Sequence, residues 1–408
     1  MKYSIKEIAD INRNSLKKEE LKKEELKKIV YLDTANLTKN KINELVDYDT
    51  KTDKVPSRAK RKVEDNDILI STVRPNQEHY GILKNTPDNL IVSTGFAVIT
   101  PKSDLVDPYY LYAVLTQKKI TNYLQVVAEN STSAYPSIKP SIIANLEIDL
   151  LTLNKQKSIG KFFKSLEYKI ELNNQIISNL EELASTLFKR WFVDFEFPDE
   201  NGNPYKSSGG KMVDSELGEI PEGWHIDIIS NLMENFDRKR VPLSKMQREK
   251  RKGEYPYYGA ASLMDYVDDF LFDGIHLLLG EDGTVITKEG NPVLQYVWGK
   301  FWVNNHAHVL KGRGYVSTEW LYLWFKQTNV SGIVTGAVQP KISQTNLNRL
   351  KVVFPDKELL IKFQKNIGIM FDKLVVLSNE MTTLTELRDT LLPRLLSGEI
   401  ELSEDGEV

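Results

Sequence analysis

Two clusters of cations are the residues of this 408-residue chain best placed to do chemistry. Lys51–Lys62 (KTDKVPSRAKRK) carries six basic residues and one acid, and Arg238–Lys252 (RKRVPLSKMQREKRK) carries eight and one. Each precedes a run that reads as strand, Asp67–Val73 and Ile275–Gly280. Arginine and lysine on loops held by a sheet suit phosphate oxygens, and the arginine fork also fits the acceptor edge of guanine. A lone charge run is usually a solvated loop. Two of them, at what read as equivalent places in the two halves, favour nucleic acid. Leu16–Lys28 (LKKEELKKEELKK) alternates sign instead and reads as a solvated segment.

The remaining candidates do not assemble into an active site. No Gly-x-x-x-x-Gly-Lys-Ser/Thr phosphate loop occurs, and no Asn/Asp-Pro-Pro-Tyr/Phe motif of the kind that grips a flipped adenine. Gly312–Gly314 lacks the third glycine and the strand–helix setting of a dinucleotide loop. The Pro-Asp pairs at Pro87, Pro198 and Pro355 lack a nearby acid-x-Lys, and Gly280–Gly283 (GEDG) offers only two acids on a turn. His306 and His308 stand in His-x-His spacing, which on a strand points both rings to one face. No carboxylate stands at a matching spacing, so no metal site and no catalytic residue is expected.

Two long periodic segments must position the cations. Pro136, Ile138, Ile143, Leu146 and Ile148 have counterparts in Pro340, Ile342, Leu347, Leu350 and Val352, a constant separation of 340 − 136 = 204 residues. That register continues through Ile159, Phe163, Leu166, Ile170, Asn173, Ile177, Leu180, Ala184, Leu187 and Trp191. Their counterparts are Phe363, Ile367, Met370, Leu374, Leu377, Met381, Leu384, Arg388, Leu391 and Leu395. Alternating steps of four and three make a coiled-coil seam, with a lapse at Arg388. A helix from Asn154 to Phe192 would be roughly 58 Å long at ~1.5 Å per residue. One small domain cannot cover such a stripe. If a two-fold relates the copies, the helices pair antiparallel, with Asn173 fixing register at some cost in stability.

Composition sets the outer bounds. With 408 residues, 41% of them hydrophobic, the chain has material for two or three cored domains. The absence of cysteine fits a reducing compartment, and neither a signal peptide nor a membrane-length apolar run is found. A cytoplasmic protein is expected. The net charge of −3 is unusual for a nucleic-acid binder, so any basic surface must be local. Leu90–Ile99 parallels Phe301–Leu310, and Pro108–Leu115 parallels Thr318–Phe325; these read as core.

The chain resembles the DNA-specificity (S) subunits of type I restriction–modification systems along essentially its whole length. The carriers are PSRAK at Pro56–Lys60, DILISTVRP at Asp67–Pro75, SELGEIPEGW at Ser215–Trp224 and GEYPYYGA at Gly253–Ala260. NNHAHVL at Asn304–Leu310, QPKI at Gln339–Ile342 and LLPRLLSGEIEL at Leu391–Leu402 complete them. The resemblance implies an α+β protein: two similar α/β target-recognition domains separated by two long helices in an antiparallel coiled coil, a pseudo-two-fold internal repeat. The expected divisions are 1–152 and 199–355 for recognition, 153–198 for the first spacer helix, and 356–408 for the second with its tail. Each recognition domain would read half of a bipartite, gapped DNA site. The chain itself would be non-catalytic and hold no cofactor. S-adenosylmethionine would belong to two methyltransferase (M) subunits, and ATP and magnesium to restriction (R) subunits.

The same resemblance implies DNA-facing residues. In the first half these are Arg58, Lys60, Arg61, Arg74 and Gln77, with Ser133 and Tyr135. In the second they are Arg238, Arg240, Arg248, Arg251, Lys252, Tyr258 and Gln339. The helix-pair seam is assigned to Phe163, Leu166, Ile170, Ile177, Leu180 and Leu187, with Ile367, Leu374, Leu384 and Leu391. The first half has no equivalent of Ser215–Trp224, so the tail from Ser397 would supply part of that role. Two other readings stand beside this one: a coiled-coil scaffold that never reads DNA, and a self-contained DNA enzyme with an unrecognised site.

Overall fold

Short aliphatic runs form the strands and the two periodic segments form the long helices in a computed structural model, which describes residues 2–17, 27–131, 135–336 and 338–402. The chain divides into two units: unit 1 is Met1–Asn173 with Glu380–Val408, and unit 2 is Asn174–Asn379. Among the described residues no helix is long and apolar enough to cross a membrane.

Unit 1 opens with β1 (Lys2–Ser4), α1 (Ile5–Ile8) and β2 (Ala9–Ile11). Strands β3 (Lys28–Leu32), β4 (Leu37–Thr38), β5 (Lys41–Ile42), β6 (Val46–Asp49), β7 (Ala59–Lys62) and β8 (Ile68–Ser71) follow. Then come β9 (Tyr80–Ile82), β10 (Leu90–Ser93), β11 (Phe96–Pro101), α2 (Pro108–Leu115), α3 (Lys118–Glu129), α4 (Pro140–Ala144) and β12 (Glu147–Asp149). Two four-stranded sheets run β2-β11-β8-β9 and β6-β3-β10-β7, and β1 pairs with β12. Ile68, Leu69, Ile70, Ala97, Val98 and Ile99 are buried, as strands covered on both faces require. Helix α2 begins where Asp107 accepts the Tyr110 N–H at 2.9 Å and Pro108 supplies a pre-set first turn. Long helix α5 (Leu153–Phe192) crosses that cap at Gly160, where a Cβ would stand 2.0 Å from Asp107 Oδ1, so only glycine allows the approach.

Unit 2 repeats the plan. After the hairpin β13–β14 (Met212–Ser215, Gly218–Pro221) come β15 (His225–Ile228), α6 (Ile229–Leu232), β16 (Met233–Asn235), α7 (Lys245–Lys250), β17 (Lys252–Tyr258) and β18 (Leu263–Val267). These lead to β19 (His276–Gly280), β20 (Leu294–Val297), β21 (Trp302–Val303), β22 (Ala307–Gly312) and α8 (Thr318–Gln327). The unit closes with β23 (Val334–Thr335), β24 (Lys341–Ile342), α9 (Gln344–Asn348), β25 (Lys351–Phe354) and the start of long helix α10 (Lys357–Ser397), which from Glu380 belongs to unit 1. Sheet β16-β22-β19-β20 has the order of β2-β11-β8-β9, the pair β15–β25 matches β1–β12, and β18-β17-β21 matches β6-β3-β10. Among the described residues of unit 2 no strand pairs like β7. The expected internal repeat is thus present as topology.

The two basic runs are not equivalent within that repeat, contrary to expectation. Lys51–Lys62 follows β3 and ends in edge strand β7, whereas Arg238–Lys252 lies between β16 and β17 and contains α7. Its topological counterpart is the 12–27 stretch, of which 18–26 lie outside the described residues. The separation of 204 does not extend upstream, because inserted residues change it: β8 and β19 are 276 − 68 = 208 apart.

Each unit contains an antiparallel stretch of the two long helices. In unit 1 the start of α5 lies along the end of α10, pairing Glu167 with Arg388 and Asn173 with Glu380. In unit 2 the end of α5 lies along the start of α10, with Phe188 and Phe192 rings 5.9 and 4.7 Å from Phe363. Of the expected seam, Phe163, Leu166, Ile367 and Leu374 are buried; Ile170, Ile177, Leu180, Leu187, Leu384 and Leu391 are half-buried. Near its end α5 buries Phe188 and Phe192 more deeply than Leu187. A helix of 3.6 residues per turn drifts off a strict 3.5 repeat, and the apolar face moves by a residue. The first helix ends at Phe192, where the periodicity of the sequence ends it. Phe195 turns the chain at φ +60°, and Phe197 leaves the axis to stack on Trp224 at 5.2 Å. Helix α10 continues through Pro393 to Ser397.

Ile400 and Leu402 pack on the unit 1 core, as Ile220 and Trp224 do in unit 2. Residues 403–408 lie outside the described residues.

The lapse in the seam is filled by chemistry. Arg388 donates to Glu167 at 2.9 Å with both side chains largely buried, and Asn40 donates to the other Glu167 oxygen at 3.2 Å. Asn173, fully buried, donates to Glu380 at 2.8 Å, while its carbonyl oxygen has no partner. Arg388→Met, which strands the Glu167 carboxylate, is expected to destabilise unit 1 by about 3–5 kcal/mol. The double variant Glu167→Leu/Arg388→Met should recover most of that loss. Urea unfolding of the three proteins checks it.

Candidate nucleic-acid interface

In unit 1 the predicted cations sit on two local frameworks. The first is the sheet containing β7, which places Arg58 and Lys60 in solvent. The outer side of β7 is paired with the 14–16 segment through Leu16 N–H to Lys60 O at 2.7 Å. Arg61 is half-buried there, reaching Ser15 Oγ at 3.3 Å with its Nε buried and unpartnered. Beside Arg58 opens a concavity of about 420 Å3, lined by Tyr31, Asp33, Asn36 and Tyr48. Burial would raise the Asp33 carboxyl, but hydrogen bonds from Tyr31, Ala35 N–H and Thr34, with Arg58 nearby, hold it below the usual range. Burial, reinforced by Asp33, pushes Tyr31 up to about 12. A carboxylate beside a guanidinium presents acceptor and donor together, the pattern that base edges answer. Asp33, Asn36, Tyr31 and Tyr48 were missed in the sequence, where Tyr31-x-Asp33 is the only local signal.

The second framework carries Arg74. Its backbone is left-handed (φ 47°, ψ 66°) although Pro75 follows, and proline ordinarily drives the preceding residue to extended angles. The Arg74 N–H to Pro136 O bond at 2.9 Å and the Val73–Ser137 bridge hold it there. The guanidinium lies 5.1 Å from the ring centroid of Tyr135, which is 62% exposed, and it has no acid partner among the described residues. Gln77 is exposed beside it and contacts His79 at 3.2 Å; Ser133 lies outside the described residues. In unit 2 the same contacts recur as Gly283 N–H to Pro340 O at 3.0 Å and the Asp282–Lys341 bridge. Gly283 is therefore the counterpart of Arg74, at φ +86°, and exposed Gln339 that of Tyr135.

The cations of unit 2 are mostly committed to acids within the chain. Arg240 keeps only 12% of its side chain exposed. It binds Glu281 at 2.7 Å, Ala307 O at 2.6 Å and Asp237 at 3.5 Å, so its fork is already occupied. Arg248, equally buried, pairs with Asp265 at 3.3 Å and lies over Tyr257. Arg251 joins Asp268 at 2.8 Å over the Trp302 ring, and Lys252 reaches Asp265 at 2.5 Å. The Tyr258 ring packs edge-on to Phe301, and burial raises its hydroxyl. Arg238 is exposed. Arg240, Arg248 and Tyr258 thus serve the interior of the domain, a correction to their expected role at the DNA face. Glu281 and Asp265 lie too far along the chain from Arg240 and Arg248 for spacing to reveal them.

The histidines do not share a face. His306 precedes β22 and contacts Asp282, whereas His308 is buried, with Nδ1 2.6 Å from Asp237 and Nε2 2.8 Å from Ile342 O. Asp237, Glu281 and His308 bring ligand-type atoms within 4.8 Å of one another. Arg240 and, at 3.3 Å, Lys341 already neutralise those carboxylates. Burial would raise Asp237, but hydrogen bonding and charge from His308, with Val309 N–H and Asn235, hold its carboxyl below the usual range.

The model of the type I restriction modification DNA specificity domain matches residues 1–182 and 221–388. The HindI type I restriction enzyme specificity subunit of Haemophilus influenzae is 25% identical over 460 residues, covering 96% of this chain and 98% of that one. The MjaIX specificity subunit of Methanocaldococcus jannaschii is 23% identical, covering 86% and 82%. In fold, the chain is similar to the type I restriction–modification S subunit from M. genitalium, with TM-score 0.53, 16% identity, and 97% and 95% of the chains covered.

Arg240→Ala is expected to destabilise unit 2 by about 3–5 kcal/mol, since Glu281 and Asp237 lose their buried partner. Arg238→Ala, at an exposed site, should stay within about 0.5 kcal/mol. Urea unfolding separates them. Because the folded Asp237 carboxyl is depressed, its contribution is full above the unfolded value of about 3.9 and fades as pH falls through the lower folded value. Asp237→Asn should therefore flatten the acid limb of the stability profile.

Proposed function

This chain belongs to the type I restriction–modification DNA specificity family, and we propose that it reads a bipartite, gapped DNA target, one half with each unit. The observation that carries this reading is the doubled topology with different residues at matching positions: exposed Arg74 and Tyr135 in unit 1, half-buried Gly283 and exposed Gln339 in unit 2. One framework with two sets of side chains suits two unlike half-sites. Arg74 also adopts at cost a backbone conformation that glycine adopts freely, and strain of this kind is retained where the side chain is used.

Arg58, Lys60 and Arg74 in unit 1, and Arg238 with the partly exposed Arg251 and Lys252 in unit 2, form the DNA face in this reading. Phosphate contacts position the domains, while Arg74 and the Asp33–Arg58 concavity read base edges. The chain is the non-catalytic specificity subunit. Adenine methylation with S-adenosylmethionine falls to two M subunits, and ATP- and magnesium-dependent work to R subunits, all in the cytoplasm. Apolar side chains left exposed on the long helices, among them Tyr168, Leu183, Ile369 and Val376, supply surface for the M subunits.

Single-molecule methylome sequencing of a host expressing this chain with its M subunit, against M alone, tests the reading. A new two-part, adenine-methylated motif dependent on the chain is the expected result. No new motif, with M active beside another S subunit, would favour the coiled-coil scaffold. Arg74→Gly gives a sharper check. It should leave stability unchanged or raise it by about 1 kcal/mol, by relieving the left-handed backbone. At the same time it should weaken specific duplex binding by about 1–3 kcal/mol in a fluorescence-anisotropy titration.

A further inference from the structure

A second cavity, of about 420 Å3, lies within unit 1 away from the Arg58 concavity, between the N-terminus of α3 and the paired ends of α5 and α10. Phe163 and Leu392 give it an apolar wall, and Tyr80 and Tyr112 border it. Its volume falls in the range that holds small organic ligands.

The end of α3 facing this cavity is unfinished as a helix terminus. Gln117 occupies the cap position without making a side-chain cap bond, and the first turn contains no acid. The first two N–H groups, those of Lys118 and Lys119, cannot be satisfied within the helix. Both lysine side chains are exposed and lack an acid partner among the described residues, although cations at a helix N-terminus oppose the helix dipole. Gln117 itself lines the cavity, is only 8% exposed, and its side-chain amide has no hydrogen-bond partner among the described residues. The other ionic groups around the cavity are already paired: Lys39 with Glu78 at 2.8 Å, and Arg388 with Glu167 and Asp389. What remains unanswered is a set of donors: two N–H groups, two ammonium groups and one amide.

We propose that this cavity binds a small phosphate ester of mononucleotide size, with the phosphate on the α3 N-terminus and Lys118 and Lys119, and the organic body against Phe163 and Leu392. Helix N-termini receive phosphate through such N–H groups and the dipole. A free ester fits better than a DNA phosphate, because the apolar part of the cavity needs a body to fill it. The site is independent of the DNA-recognition reading.

Isothermal titration of the full-length chain with AMP, and separately with inorganic phosphate, tests it. Saturable one-to-one binding is expected, with AMP the tighter of the two. Lys118→Ala/Lys119→Ala should weaken AMP at least tenfold. Gln117→Asp, whose carboxylate can cap the helix and occupy the anion position, should raise the melting temperature of the free protein and abolish the response to AMP. Absence of saturable binding by both probes, or AMP affinity unchanged in both variants, would overturn the proposal. Displacement of AMP by a short duplex would overturn it too, by transferring the site to the DNA backbone.

Discussion

The structure depends on the constraint that a forty-residue amphipathic helix cannot bury its stripe alone. Helices α5 and α10 meet that constraint by pairing, and the pairing is made selective by polar groups within the apolar seam. Glu167, Arg388 and Asn173 are largely buried, and another register would take away the partners they have here. Such pairs add little net stability over apolar packing, yet breaking one is costly, and that asymmetry suits them to fixing register. The link from Glu167 to Asn40 then ties the helix pair of unit 1 to the β4–β5 turn.

Within the recognition modules, cations are sorted by the company they keep. Arg240, Arg248, Asp237, Glu281, Asp265 and His308 form charge networks that hold β16, α7, β18 and β22 together. Arg58, Lys60, Arg74 and Arg238 keep their charge exposed. The first set builds the scaffold and the second is available to a partner, though both come from the same two basic runs and the strand beside them.

This sorting marks the limit of what could be read from residue order. Periodicity is a local property, so the long helices, the Arg388 lapse and the polar Asn173 were legible, and so was the doubled plan. The commitments of Arg240 and Arg248 were not, because Glu281 and Asp265 are brought to them only by the folded sheet. The constant separation also misled: it holds from Pro136 and Pro340 onward but not upstream, so two basic runs that seemed matched occupy different connections. The true match, Arg74 with Gly283, pairs residue types that no alignment of side chains would join. It emerges from backbone hydrogen bonds to Pro136 and Pro340.

The two units differ in how the chain contributes to them. Unit 2 is one continuous stretch, Asn174–Asn379, whereas unit 1 combines the beginning of the chain with its last segment from Glu380. Leu392, Leu395, Ile400 and Leu402 belong to the unit 1 core, and Arg388 is the counterion of its buried Glu167. During synthesis, unit 2 can therefore close on the ribosome while unit 1, begun earlier, waits for the Glu380–Leu402 segment to emerge. Premature termination would leave the earlier-made module with an uncovered core and an uncompensated carboxylate, marking the truncated product for proteolysis before it could compete for partners.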